Sequence, residues 1–218
     1  MRPTPGPPKP RPTHTPTKDP LVERYPFESG AAAASGNSAL TGTVSGATTT
    51  QGQDGSGALA MSPFDSVSFP AALATNVRGS EPRTICIWAK LSVIQNSVLF
   101  SYGTDGDGSE FGLRFASDTV LRAQFGGDAF NVDATISDMN TDWHHYCLAY
   151  NGEFYVVFFD GKAVTFGTKK LNTGTANNIK IGPLGGSVDE LLVYNQAVSS
   201  SVVAALYASS TPAPSTRS

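Results

Sequence analysis

Apolar and polar positions alternate most regularly between residues 143 and 166, from Trp143-His144-His145 through Tyr150 to Phe154-Tyr155-Val156-Val157-Phe158-Phe159 and Val164-Thr165-Phe166. Two runs of β-branched and aromatic residues are joined by Asn151-Gly152, and the second meets a third across Asp160-Gly161. This pattern predicts three consecutive antiparallel strands. Asn-Gly and Asp-Gly supply the positive φ values that two-residue hairpin turns demand.

Short apolar runs recur upstream. Thr84-Ile85-Cys86-Ile87-Trp88-Ala89-Lys90-Leu91 is apolar at odd and even positions alike, as expected of a central strand covered on both faces. Residues 98–102, 111–115, 120–125 and 130–136 follow at about ten-residue spacing, the interval of a β-sandwich. Weaker periodicity places short strands at 40–44, 57–61 and 67–70. Downstream, residues 179–182 and 188–194 are expected to pair around Gly185-Gly186. Ser199 can then cap a helix from Ser200 to about Tyr207, with Val202, Val203 and Leu206 on one side. The predicted fold is all-β, an antiparallel two-sheet sandwich over residues 21–208 with a short C-terminal helix.

The two ends have a different composition. Residues 1–20 contain eight prolines and four threonines, and Arg2, Lys9, Arg11 and Lys18 oppose Asp19 alone. Such a segment cannot bury a core and is expected to run as a Pro-rich extended arm of up to about 60 Å. The arm carries +3, and with a net charge of -3 on the whole chain the remainder carries -6. Arg2, Pro7, Pro8, Lys9, Arg11 and Lys18 are its candidate partner-binding residues; a passive linker is the other reading. Residues 209–218 are Ser/Thr/Pro-rich and are expected to be a flexible tail.

Composition narrows the picture further. The 22 glycines and 15 prolines among 218 residues, with 15% charged residues, suit many short strands and tight turns. An acidic balance argues against nucleic-acid binding. No apolar run is long enough to insert in a membrane. The start carries no apolar signal-peptide segment, so the chain is expected to stay in the cell that makes it, to leave by lysis or inside an assembly, or to begin at an internal linker of a longer protein. Cys86 and Cys147 are too few for a disulfide scaffold. Each reads first as a small buried core residue, and a disulfide between neighbouring strands is the alternative.

Together these segments resemble the laminin-G-like, concanavalin A-like jelly-roll superfamily in its LamG-type branch. Tyr25-Pro26-Phe27-Glu28 resembles the opening strand, Thr43-Val44-Ser45-Gly46-Ala47 the next, and residues 84–90 the central Trp strand. Trp143-His144-His145, Tyr150-Asn151-Gly152 and Phe159-Asp160-Gly161-Lys162 resemble the strongest motif, and residues 186–199 the closing strand and helix start. The resemblance implies a jelly roll, and for some relatives a structural calcium near the opening loop and the acid of the closing strand. Asp189 matches that acid, whereas Ala31-Ala32-Ala33-Ala34-Ser35-Gly36-Asn37 has alanines where an aspartate is common. Calcium seeks six to eight oxygens, several of them anionic. No other cofactor is expected.

Catalytic chemistry is not expected. None of the six glutamates stands in the Glu-x-Asp-x-Glu type of strand that glucan-cutting enzymes of this fold carry. His144 and His145 point to opposite faces of one strand and cannot both chelate one ion; the resemblance implies that they are structural. Residues 105–110 read as a solvated turn. Trp88 and Trp143 are expected in the core, and Tyr102 and Phe130, beside loops, as exposed aromatics. Two functions follow. The first is a non-enzymatic virion structural protein, a phage capsid decoration, head-fibre or tail-associated protein. It would be held by residues 1–20 on a capsid or tail protein at the virion surface, with host glycans or further copies of itself as added partners. The second is a carbohydrate-binding or adhesion module of a larger secreted bacterial protein, extracellular or at the cell surface.

Overall fold

The computed structural model describes residues 20–210. Its strands are β1 (Leu21–Tyr25), β2 (Thr43–Ser45), β3 (Thr48–Gln51), β4 (Gly57–Met61), β5 (Ser66–Ser68), β6 (Arg83–Leu91), β7 (Ser97–Gly103) and β8 (Glu110–Phe115). They continue as β9 (Val120–Gln124), β10 (Val132–Thr135), β11 (His144–Tyr150), β12 (Phe154–Phe159), β13 (Lys162–Thr168), β14 (Asn177–Ile181) and β15 (Gly186–Tyr194). Two helices accompany them, α1 (Ala71–Ala74) and α2 (Ser200–Ser210), with a 3-10 turn at Ser38–Leu40. The Pro-rich arm and the tail beyond Ser210 lie outside the described residues, so the partner residues assigned to the arm do too.

The strands form two antiparallel sheets, as the sequence predicts. Sheet A has eight strands in the order β13-β12-β11-β6-β15-β4-β3, with β1 also on β15, and sheet B has seven in the order β10-β9-β8-β7-β14-β5-β2. Inward residues of both sheets interdigitate in one core that includes Tyr25, Phe69, Ile87, Phe100, Phe111, Leu113, Phe115, Tyr146, Leu148, Val157, Ile179 and Leu191. β6 is central, between β11 and β15, and all its side chains except Lys90 are buried, which is why its sequence shows no alternation.

The hairpins at the centre of the sequence form with one adjustment. Phe159 pairs with Lys162 across Asp160-Gly161, whose φ values are 48° and 75°. At the other turn, Asn151 N donates to Phe154 O at 3.0 Å, so the two-residue loop is Gly152-Glu153. Gly152 alone supplies a positive φ, 100°. Asn151 acts through its side chain, whose Oδ1 accepts from the amides of Glu153 and Phe154 at 3.0 and 2.7 Å.

Elsewhere tertiary pairing overrides the local pattern. Residues 179–182 and 188–194 do not form a hairpin. β14 pairs with β7 and β5 in sheet B, whereas β15 pairs with β6, β4 and β1 in sheet A. Gly182 to Gly185 therefore cross between the layers. β3 and α1 had no sequence signal, since Thr48–Gln51 shows no apolar alternation and α1 is a single turn. In α2, Val203 is buried but Val202 is 41% exposed, so the helix docks through Val203 with Leu206 beside it, and Val202 faces out.

Cys86 and Cys147 are not two free core thiols. The β6–β11 register puts them directly opposite each other, with Cα atoms 4.1 Å apart, and they form a disulfide. It lies between sheet A and α2, in a second apolar cluster with Ala149, Phe158, Leu192 and Val203.

Candidate functional site

The outer face of sheet B carries a polar trough of about 400 Å³. Four adjacent strands build it, because outward positions in register form rows across a sheet. In one row Lys180, Ser101, Gly112 and Gln124 are successive partners on β14, β7, β8 and β9. In the next row Asn177, Gly103 and Glu110 are partners. Asn178, Thr104 and Asp105 complete the lining.

A glycine stands in each row, Gly103 lining the trough and Gly112 buried beside it. A Cβ on Gly112 would lie 2.6 Å from Phe100 O, and one on Gly103, with φ at 107°, would lie 2.3 Å from Ser109 O. Neither position can therefore take a side chain without movement. The result is a flat backbone floor with polar walls. Phe111, Leu113 and Phe115 on the alternate positions of β8 face the core and fix the orientation of Glu110.

The wall groups are partly unsatisfied. Gln124 Nε2 donates to Glu110 Oε2 at 2.8 Å, while Gln124 Oε1 is buried and has no hydrogen-bond partner among the described residues. Burial pushes the Glu110 carboxyl up from its ordinary value, with the Gln124 hydrogen bond opposing that shift. Arg78 steadies the opposite wall by donating to Gly174 O at 2.6 Å and to Asn178 Oδ1 at 3.3 Å. Arg83, fully buried beneath the same end, donates to Gly79 O, Glu81 O and Thr173 Oγ1 and stacks over Phe111 and Tyr150. It thereby ties the 79–81 loop to the segment that leads into β14. Carboxylate, amide, hydroxyl and ammonium groups over a glycine floor can exchange hydrogen bonds with a hydroxyl-rich ligand, offering donors and acceptors together.

Most of these residues were not visible as a site in the sequence. Residues 105–110 do form a turn, yet Asp105 and Glu110 line the trough. Ser101, Gln124, Asn177, Asn178 and Lys180 come from separate segments and meet only through sheet register. The one local signal was a glycine within each of two apolar strands, Gly103 and Gly112. Of the aromatics expected to be exposed, Tyr102 is buried and donates its hydroxyl to Val77 O at 2.5 Å. Its position in β7 turns it inward. Phe130 is half-buried and lines a separate notch of about 400 Å³ with Glu153, Thr168, Lys169 and Lys170, where Lys169 Nζ sits 5.1 Å from the ring centre. Trp88 is buried and Trp143 half-buried.

The two histidines divide as strand geometry requires. His144 Nδ1 lies 2.8 Å from Asp160 Oδ2, and the other carboxylate oxygen of Asp160 accepts from the His145 amide at 2.9 Å. The turn aspartate thus also holds the start of β11. His145 points the other way, under α2, against Trp88 and Tyr207, and burial pushes its imidazole down to about 4.

Asp189 is fully buried on β15. Its Oδ2 accepts from the Gln53 amide at 3.0 Å and its Oδ1 from the Glu190 amide at 2.8 Å. Burial pushes its carboxyl up to about 7, against the pull of those amides. The loop that faces it is Gly52–Gly57 rather than the alanine segment, and Glu28, the nearest other acid of the opening region, takes the Gly57 amide at 2.7 Å. Both carboxylates accept from backbone amides, and no cluster of three acidic side chains with their ligand atoms brought together includes them among the described residues. Calcium seeks six to eight oxygens, several of them anionic.

The comparisons agree with this architecture. A family model described as the concanavalin A-like lectin/glucanases superfamily, Laminin_G_3, matches residues 62–204. The chain belongs to that superfamily. Among solved structures, domain 4 of the extracellular arabinanase AbnA from Geobacillus stearothermophilus, in complex with arabinotriose, aligns with a TM-score of 0.67 at 18% identity. That alignment covers 86% of this chain and 98% of the arabinanase domain. The binding domain of Paraclostridial Mosquitocidal Protein 1 aligns with a TM-score of 0.61 at 15% identity, over 87% of this chain and 52% of that one. Trypanosoma rangeli sialidase with its inhibitor DANA aligns with a TM-score of 0.57 at 15% identity, over 77% of this chain and 29% of the sialidase. At these identities the likeness is one of fold. A search of curated proteins finds no match. Among the described residues no helix is long and apolar enough to cross a membrane.

Proposed function

We propose that this superfamily member is a non-catalytic carbohydrate-binding domain that holds a glycan in the trough on sheet B. The observation that carries it is the polar trough itself, with Gly103 in its floor and Glu110, Gln124, Asn177, Asn178 and Lys180 lining it from four adjacent strands. Rotation of the Gln124 amide would present its oxygen to a sugar hydroxyl, and Lys180, Asn177 and Asn178 can serve hydroxyls from the other side. The complex of a relative's domain with arabinotriose supports a glycan as the ligand class. Calorimetric titration with arabinotriose and a panel of neutral oligosaccharides tests the proposal. Saturable binding that Gln124→Ala weakens at least tenfold is expected, whereas binding unchanged in both Gln124→Ala and Lys180→Ala overturns it.

Attachment to a virion is a second proposal, and its support is confined to the sequence. The basic Pro-rich arm contrasts in charge with the acidic remainder, which suits an anchor on another surface. Neither the fold nor the relatives bear on it. β1 begins at Leu21, so removing residues 1–19 should leave the domain folded and abolish its incorporation into particles. Incorporation at the full level would remove the arm from the account.

A further inference from the structure

Two pairs of residues meet on the outer face of sheet A. Cys147 lies opposite Cys86 and His145 opposite Trp88, and the two-residue period of a strand turns all four side chains toward α2. Ligand atoms of Cys86, His145 and Cys147 all lie within 4.8 Å of one another, and all three residues are buried. His145 is 1% exposed. Its two ring nitrogens lie 3.8 and 3.7 Å from Cys147 Sγ, and no oxygen or nitrogen partner for them is present among the described residues. A buried imidazole normally finds such a partner. Here the polar neighbour is sulfur.

We propose that, once the Cys86–Cys147 bond is reduced, Cys86, His145 and Cys147 form a buried site for a thiophilic divalent cation of the zinc class. A dithiol supplies two electrons and two protons to the S–S bond and is itself oxidised to a disulfide; zinc then displaces both thiol protons to solvent. Two thiolates, a neutral imidazole and Zn²⁺ carry no net charge, which suits an apolar cluster of Ala149, Phe158, Leu192 and Val203. Zinc–sulfur and zinc–nitrogen bonds of about 2.3 and 2.0 Å place tetrahedral ligand atoms roughly 3.3–3.8 Å apart. The three groups reach that spacing by side-chain rotation. Water fills the fourth position. Disulfide and metal exclude each other, so the layer beneath α2 is held by a covalent bond in oxidising surroundings and by the cation in reducing ones.

The test compares oxidised and phosphine-reduced protein, each titrated with Zn²⁺ and with Co²⁺. Reduced protein should bind one Zn²⁺ per chain and show a thiolate-to-cobalt charge-transfer band; oxidised protein should show neither. Cys86→Ser/Cys147→Ser should lose the band, and His145→Gln should weaken zinc binding at least tenfold. Should reduction unfold the chain, restoration of its near-ultraviolet circular dichroism by Zn²⁺ supports the site, and failure to restore it overturns the site. A reduced, folded chain without the band also overturns it, as does a band that persists in the double variant.

Discussion

The outer faces of the two sheets begin from the same strand alternation and end differently. On sheet A, outward positions are Cys86, Cys147, Ala149, Phe158 and Leu192, and α2 closes over them through Val203. On sheet B, outward positions are Ser101, Glu110, Gly112, Gln124 and Lys180, and no helix covers them among the described residues. A covered face must be apolar, or it leaves unpaired polar groups in the interior. An uncovered face is free to be polar and concave. Stability is thus concentrated on one side of the sandwich, and the proposed glycan site lies on the other.

The most forceful way to break this comparison is to reduce the disulfide under α2. Its partners are 61 residues apart, and a cross-link of that span contributes about 2–4 kcal/mol. The urea midpoint of the reduced, metal-free protein should fall accordingly, and an unchanged midpoint would show that the closed face does not depend on the bond.

Next in size is the pH dependence set by Asp189. Its folded-state pKa, about 7, lies above the ordinary 3.8, so its contribution is fully present below about pH 4 and is lost as pH rises through 7. Between pH 5 and 8 wild type should lose on the order of 2 kcal/mol relative to Asp189→Asn. Parallel curves for the two proteins in urea titrations would refute this account of Asp189.

On the open face the expected effect is on binding rather than folding. Gln124→Ala should leave the urea midpoint within about 0.5 kcal/mol of wild type while weakening the glycan at least tenfold, as calorimetry would read it. A fall in stability without a fall in affinity would reverse the roles assigned to the two faces. The smallest expected effect is that of a calcium chelator. Because no cluster of three acidic side chains includes Asp189 and Glu28 among the described residues, EDTA should not move the melting temperature; a drop restored by Ca²⁺ would make that site a calcium-binding one.

Much of the fold was legible because its signals are local. The Asp160-Gly161 turn, the unalternating apolar run of β6 and the ten-residue rhythm of β7 to β10 each depend on residues within a few positions of one another. Even there the Asn151-Gly152 turn shifted by one residue, because Asn151 is used through its side chain. The candidate site was much less legible. Glu110 and Gln124 are 14 residues apart and Lys180 is farther still, and nothing along the chain states that β14 lies beside β7. The hairpin expected around Gly185-Gly186 failed for the same reason.

By itself the sequence determined most of the strands and the all-β class, since side-chain alternation and turn chemistry are properties of neighbouring residues. Only the tertiary structure decided which strands pair, that Cys86 meets Cys147, that Tyr102 turns inward, and that Glu110, Gln124 and Lys180 line one trough. Those outcomes depend on register between distant segments, and register is settled by burying one continuous core rather than by any single stretch of chain.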